Sequence, residues 1–246
     1  MDDIIAGRNP VREALRAGRN LHKILVASRL EGRVVGEILA LARSQGVPVQ
    51  RVDRAALDRM AGDRHQGVVA LAAARGYVEM EDLLSLAREK GEPPFLIMLD
   101  QVEDPHNLGA ILRSAETAGA HGLIIPRRRT AGLTPAVARA AAGALEYVPV
   151  ARVANLAQAI VKLKQEGLWV IGAEADGIRE AFASDFTVPL VLVLGGEGQG
   201  LSPLVRSKCD FTVKLPVRGK INSLNVAAAA TVLMYEVVRQ RYCSTD

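Results

Sequence analysis

Cysteine is nearly absent: Cys209 and Cys243 are the two in 246 residues. They are too few to staple a chain of this size and have no metal-ligand spacing, which excludes a disulfide scaffold and a cysteine–zinc site and suits a reducing compartment. Histidine is almost as rare, and no grouping of His, Cys and acids has ligand spacing, so no bound metal is expected. Aromatic residues make up 4% of the chain, too sparse for a platform on which single-stranded bases stack. Long apolar runs are missing too. Phe95–Leu99 and Leu190–Leu194 fall far short of the ~20 residues that a bilayer span needs, and the N-terminus lacks a charged-then-apolar leader. These absences predict a soluble, cytoplasmic protein with no membrane partner.

Charge of one sign is not in large excess, the net value being +4. Its distribution is uneven. Residues 1–75 hold 13 Lys/Arg against 8 Asp/Glu, and residues 76–246 hold 18 against 19. A basic segment beside a near-neutral one fits a phosphate-contacting module next to a catalytic one, and fits ordinary solvation equally.

What is present is alternation of short apolar runs with helical periodicity. Asn9 before Pro10 reads as a helix cap, with the helix stopping near Gly18. A strand follows over Lys23–Ala27, a helix over Val34–Ser44 ending at Gly46, a strand over Val47–Val52, a short helix capped by Asp53, and a strand within Gly67–Ala73. Residues 1–75 are therefore a small α/β domain. Residues 76–94 read as a linker, with a helix over Glu79–Lys90 and a strong breaker at Gly91-Glu92-Pro93-Pro94. Residues 95–246 restart the pattern. Apolar runs at Phe95–Leu99, Leu123–Ile125, Leu168–Ala173, Leu190–Leu194 and Phe211–Leu215 read as strands covered on both faces. The helices between and after them fall at about 108–118, 155–166, 202–208 and 224–239, which predicts a parallel α/β sheet with crossover helices.

In such a sheet, ligands bind at the carboxyl ends of the strands. Three loops there carry unusual residues. The first runs Asp100-Gln101-Val102-Glu103-Asp104-Pro105-His106-Asn107-Leu108-Gly109, with Arg113 on the helix it opens. The second is Gly195-Gly196-Glu197-Gly198-Gln199-Gly200-Leu201. The third runs Leu215-Pro216-Val217-Arg218-Gly219-Lys220-Ile221-Asn222-Ser223-Leu224-Asn225. The second is no dinucleotide fingerprint, because that belongs at the first strand, which here ends in Asp100 without glycines. Four glycines around Glu197 read instead as a tight loop for a small ligand, or as a mere turn.

Together the three loops resemble, in content and order, the motifs of the SpoU (TrmH-like) branch of the knotted SPOUT methyltransferases, over about residues 95–241. Residues 1–75 resemble that family's substrate-binding module, similar in fold to the ribosomal protein L30e, through Gly7-Arg8-Asn9-Pro10-Val11 and His65-Gln66-Gly67-Val68-Val69. The resemblance implies an RNA ribose 2′-O-methyltransferase that uses S-adenosyl-L-methionine (AdoMet) without metal, acts as a symmetric homodimer, and carries a deep trefoil knot in its last strands and helix. It places AdoMet at Gly195, Gly196, Leu215 and Leu224, held largely through backbone groups. Asn107, Glu197, Ser223 and Asn225 match the family's polar positions that orient the ribose hydroxyl. Arg113 matches its catalytic arginine, drawn either as a general base or as a clamp on phosphate and developing alkoxide; a guanidinium rarely gives up its proton. Gly143-Ala144 with Glu146, and Val153 with Asn155-Leu156, agree with the branch that acts on a guanosine ribose in the peptidyl-transferase region of 23S ribosomal RNA. Transfer RNA is the alternative substrate, and a non-catalytic RNA-binding relative is a second alternative.

Other residues carry less. His106 lacks a partner at recognisable spacing and reads as a loop residue. Arg127-Arg128-Arg129, and the series Arg8, Arg12, Arg16 and Arg19, suit either RNA phosphates or solvent.

Overall fold

The computed structural model describes residues 3–73, 76–221 and 223–243. Arg75, at the expected edge of the first domain, and Asn222, in the third loop, lie outside the described residues. In chain order the elements are β1 (Asp3–Ala6), α1 (Arg8–Arg16), β2 (Leu21–Ala27), α2 (Arg33–Ser44), β3 (Val49–Val52), α3 (Arg54–Ala61), β4 (Val68–Ala72), α4 (Met80–Lys90), β5 (Phe95–Asp100), α5 (Pro105–Thr117), β6 (Gly122–Pro126) and α6 (Pro135–Ala140). They continue with β7 (Val150–Val153), α7 (Leu156–Gln165), β8 (Trp169–Ala173), β9 (Arg179–Glu180), β10 (Leu190–Gly195), α8 (Pro203–Lys208), β11 (Phe211–Lys214) and α9 (Val226–Tyr242).

Two compact units result: Met1–Gly76 with Leu133–Tyr147, and Tyr77–Gly132 with Val148–Asp246. The first holds a four-stranded sheet in the order β1-β4-β2-β3, with β2 and β3 parallel and the β4 pairings antiparallel. Ile5, Val11, Leu15, Ile24, Val26 and Ile38 pack one core, and Leu25, Leu57 and Val69 a smaller one. Asn9 is not the cap of α1. Gly7 is, at φ 112°, a backbone conformation that a side chain disfavours. There its N–H donates to the Val68 carbonyl at 3.0 Å before the chain turns into the helix. Asp53 holds the cap position of α3, but its side chain makes no capping bond.

The arginine series on α1 is spoken for within this unit. Arg19 is clamped between Asp3 (2.6 Å) and Glu146 (2.7 Å), and Arg12 and Arg16 pair with Glu13 and Glu37. Arg8 donates to the Gln66 carbonyl at 3.1 Å. The segment carrying Glu146 thus packs with the N-terminal residues, although it lies far along the chain.

The second unit holds a seven-stranded sheet in the order β7-β6-β5-β10-β8-β11-β9, parallel throughout. All six residues of β5 are buried, as a strand covered on both faces requires. The helix read from sequence as part of a linker, α4, is core: Met80, Leu83 and Leu84 pack with Leu96, Ile124 and Val193. Its capping box, Glu79 with Asp82, starts it firmly. From β5 the chain steps outward through β6 to β7, then returns to the other side for β8, so the strand order reverses between β5 and β10. That gap is where an open parallel sheet offers a crevice at its carboxyl ends. Among the described residues, no helix is long and apolar enough to cross a membrane.

Candidate active site

Register delivers three sequence-distant loops to this crevice. Gly195 of β10 pairs with Asp100 of β5, Leu194 with Ala173 of β8, and Val213 of β11 with the same Ala173. The first, second and third loops therefore leave the sheet side by side. A cavity of about 530 Å³ opens between them, lined by Gly195, Gly196, Leu215, Ser223, Leu224 and Asn225 among others. All four residues matched to cofactor binding are in its wall. A second cavity of about 290 Å³ adjoins it, lined by Gln101, Glu103, Asp104, Asn107, Glu197 and Gln199 among others. Gly196, Glu197, Gln199 and Val226 line both.

The glycines of the second loop serve the chain's own approach to itself. A Cβ on Gly195 would lie 2.1 Å from the Gly200 carbonyl carbon, and one on Gly196 would lie 2.3 Å from the Gln101 carbonyl oxygen. No side chain fits at either contact, so the loop folds into a hairpin-like turn, with the Gly200 N–H donating to the Gly196 carbonyl at 3.1 Å. Two carboxylates hold its far end. Glu174, just past β8, accepts the Leu201 N–H at 2.7 Å, and Asp100 accepts the Ser202 N–H at 2.8 Å. Sequence reading gave neither residue this role. The signal available was a carboxylate directly after an apolar strand run, at the ligand-facing end of the sheet.

At the junction of the two cavities, Asn107, Glu197 and Asn225 form one hydrogen-bonded cluster. Asn107 donates through Nδ2 to Glu197 Oε1 at 3.1 Å. Asn225 donates through Nδ2 to Asn107 Oδ1 at 3.0 Å and to the same Glu197 oxygen. The Asn225 side-chain oxygen is engaged as well, capping α9 by accepting the N–H groups of Ala227 (3.0 Å) and Ala228 (3.2 Å). Such a cap contributes about 1 kcal/mol and also locks the amide's orientation. Asn107 is itself fixed, buried in the first turns of α5, whose N-cap Asp104 accepts the His106 N–H. The carboxylate is therefore aimed by two amides that are each held at the start of a helix.

Three of the five residues matched to catalysis form the cluster, and Ser223 lines the larger cavity beside Asn225. Arg113 is not brought to it. Six residues beyond Asn107 on α5 the helix has turned away, and Arg113 is exposed, lines neither cavity, and makes no side-chain hydrogen bond or ion pair among the described residues. His106 is likewise an exposed residue of the first turn. The sequence reading missed the second cavity, because Gln101, Glu103 and Gln199 have no pattern until the loops adjoin.

Comparison with known proteins matches residues 94–235 to the SpoU rRNA Methylase family and residues 4–78 to the domain described as RNA 2′-O ribose methyltransferase substrate binding. A protein of Bacillus subtilis named for the TrmH family of tRNA/rRNA methyltransferases is 47% identical over 239 residues, spanning 97% of this chain and 96% of its own. A similarly named protein of Staphylococcus aureus is 45% identical over 241 residues, 98% of this chain and 97% of its own. Among solved structures, the SpoU methyltransferase AviRb of Streptomyces viridochromogenes, in complex with AdoMet, superposes with a TM-score of 0.83 at 28% identity. That match covers 100% of this chain and 92% of AviRb.

Proposed function

The chain belongs to the SpoU rRNA methylase family, and from that premise we propose that it transfers a methyl group from AdoMet to the ribose 2′-hydroxyl of a guanosine in 23S ribosomal RNA. RNA methyl transfer dependent on AdoMet is the family's activity. The ribose and the ribosomal address are the finer reading. The observation that carries the chemistry is the Asn107–Glu197–Asn225 cluster at the junction of two cavities.

The larger cavity fits AdoMet in size and character. Pockets for ligands of this kind run about 300–1,000 Å³, mostly apolar with a few placed polar groups. Leu194, Val213, Leu215, Leu224 and Leu233 supply the apolar wall, with Gly195 and Gly196 leaving backbone accessible and Glu174 and Glu197 lining it with negative charge. Bound there, AdoMet supplies a sulfonium methyl that needs no acid to activate it. The protein's task is then to hold the accepting oxygen in line and to manage its proton; such positioning is worth roughly 7–11 kcal/mol. Asn107, Glu197, Ser223 and Asn225 carry that task. Arg113 reaches outward from α5, where its planar fork suits a phosphate of the bound RNA.

The unit that holds residues 1–75 together with 133–147 is the RNA-delivering one, and the unit of the seven-stranded sheet, α4 included, is the catalytic one. Register in the first sheet puts the carboxyl ends of β2 and β3 beside the amino end of β4, and the segments there carry Arg29, Arg54 and Arg64. All three are exposed and without an ion pair among the described residues, as phosphate contacts require. The reading includes a homodimer, a cytoplasmic location and the family's trefoil knot. Transfer RNA is the second substrate; the separate substrate-binding domain favours ribosomal RNA. Transfer of labelled methyl to purified 23S and transfer RNA, with ribose-methylation mapping in a deletion strain, tests the proposal. A single guanosine of 23S RNA that loses its mark in the strain and regains it in vitro is the expected result. A lost mark in transfer RNA alone would move the address.

A further inference from the structure

We infer that the second cavity receives the ribose of the nucleotide to be methylated and that Glu197 is the general base that takes the 2′-hydroxyl proton. This rests on the methyl-transfer reading above and assigns the base to a different residue from the arginine considered in the sequence.

The cavity's lining selects the guest. Glu103, Asp104 and Glu197 bring three carboxylates, Gln101, Asn107 and Gln199 bring amides, and among the described residues neither Lys nor Arg lines it. A phosphate is repelled there. A ribose, which offers hydroxyl donors, is accepted. Glu197 is the one carboxylate that lines both this cavity and the larger one, so an oxygen held against it faces the methyl donor's berth.

The other groups at hand are unsuited to accept the proton. Glu174 lines only the larger cavity and is occupied by the Leu201 N–H. Glu103 and Asp104 line only the smaller one, and Asp104 caps α5. Ser223 lines only the larger one, while His106 and Arg113 line neither. Glu197 has the reverse disposition. Its Oε1 accepts hydrogen bonds from the side-chain amides of Asn107 and Asn225, which fixes the carboxylate plane, and among the described residues no protein donor meets Oε2. In the step, the oxygen–hydrogen bond of the hydroxyl breaks and its proton passes to Glu197 Oε2. The oxygen lone pair forms the new bond to the methyl carbon as the carbon–sulfur bond breaks, its electron pair returning to sulfur. The protonated carboxyl then releases its proton to water.

Glu197→Gln tests this, because the amide keeps an oxygen for Asn107 and Asn225 to donate to and loses only the capacity to take a proton. AdoMet affinity by calorimetry and RNA affinity by filter binding should change by no more than a few-fold. Single-turnover methyl transfer should fall about 10²- to 10⁴-fold, the range of general-base catalysis. The wild-type rate should decline as pH falls, and the variant should lack that acidic limb. Independently of any variant, RNA with 2′-deoxyribose at the mapped target should bind the wild type several-fold more weakly than native RNA, at saturating AdoMet. Near wild-type turnover in Glu197→Gln, an acidic limb that survives the substitution, or equal binding of deoxy and native RNA would each overturn the assignment. Wild-type protein that binds AdoMet yet methylates no RNA would instead sink the function on which it rests.

Discussion

The two ends of the seven-stranded sheet are built on opposite plans. At the amino ends of β5 and β10 side chains tie down the backbone. The Arg241 guanidinium donates to the carbonyls of Pro93 (2.7 Å), Pro94, Phe186 and Val188 (2.6 Å), and lies over the Phe95 ring at 5.5 Å. His121 exchanges two bonds with Phe95: its N–H donates to the Phe95 carbonyl, and its ring Nδ1 accepts the Phe95 N–H. At the carboxyl ends of the same strands there are glycine turns, open cavities and a carboxylate held by two amides. One helix serves both, since α9 starts at Asn225 in the site and ends beside the Arg241 clamp. The lesson is a division of labour along each strand. Rigidity is concentrated where no ligand comes, and that leaves the other end free to present backbone and polar side chains to a ligand.

The largest expected contrast comes from substituting the two ends of α9. Asn225→Ala should lower methyl transfer by on the order of 10²-fold, the scale for removing one preorganised donor. It should cost only about 1 kcal/mol of stability through the lost cap. Single-turnover kinetics and urea unfolding would read both numbers, and a large stability loss with intact turnover would erase the contrast. Arg241→Ala should do the opposite. It strands several carbonyls, at about 1–3 kcal/mol for a buried acceptor left unmade, while AdoMet affinity and turnover well below the melting temperature stay near wild type.

A pH effect sharpens the stable end. Burial is the chief cause that holds the His121 pKa below its ordinary 6.5, assisted by the Lys90 charge and opposed by Glu92, whose carboxylate lies 3.2 Å from Nε2. A histidine depressed in the folded state binds protons more readily when unfolded. Its contribution to stability is thus complete above about pH 6.5 and is lost as pH falls below that value. Urea midpoints at pH 7 and pH 5 should differ by less in His121→Gln than in the wild type. An unchanged difference would remove His121 from the account.

The smallest effect concerns the packed base beneath the second loop. Burial raises the Cys209 thiol to about 11, whereas Cys243 is exposed. Alkylation at pH 8, followed by mass spectrometry, should label Cys243 promptly and Cys209 only on unfolding, because the thiolate is the reactive form. Equal rates would mean that the packing of α8 on the sheet opens readily.

Most strands and helices were readable from apolar runs and the breakers that flank them. β1, β7 and α6 were not read, although β3, β11 and α8, of the same lengths, were. The helix α4 was legible as a helix, but its role was not, since a run such as Leu83-Leu84 beside breakers looks the same in a linker as in a core. The site divides in the same way. Asn107, Glu197, Ser223 and Asn225 stood out through the resemblance of their loops to the family's motifs, whereas the supports Asp100 and Glu174 stood out only once Ser202 and Leu201 were seen to need acceptors.

By itself the sequence determined the class of sheet and the loops that carry chemistry, because apolar periodicity and glycine placement are local properties; the expected cofactor residues came from the resemblance of those loops to the SpoU family. Only the tertiary structure decided that Arg113 stands apart from the cluster, that residues 133–147 pack with the N-terminal unit, and that two cavities meet at Glu197. Those facts depend on strand order and register. Pairing Gly195 with Asp100, and Val213 with Ala173, brings together residues 95 and 40 positions apart, and no local preference along the chain encodes which strand becomes which one's neighbour.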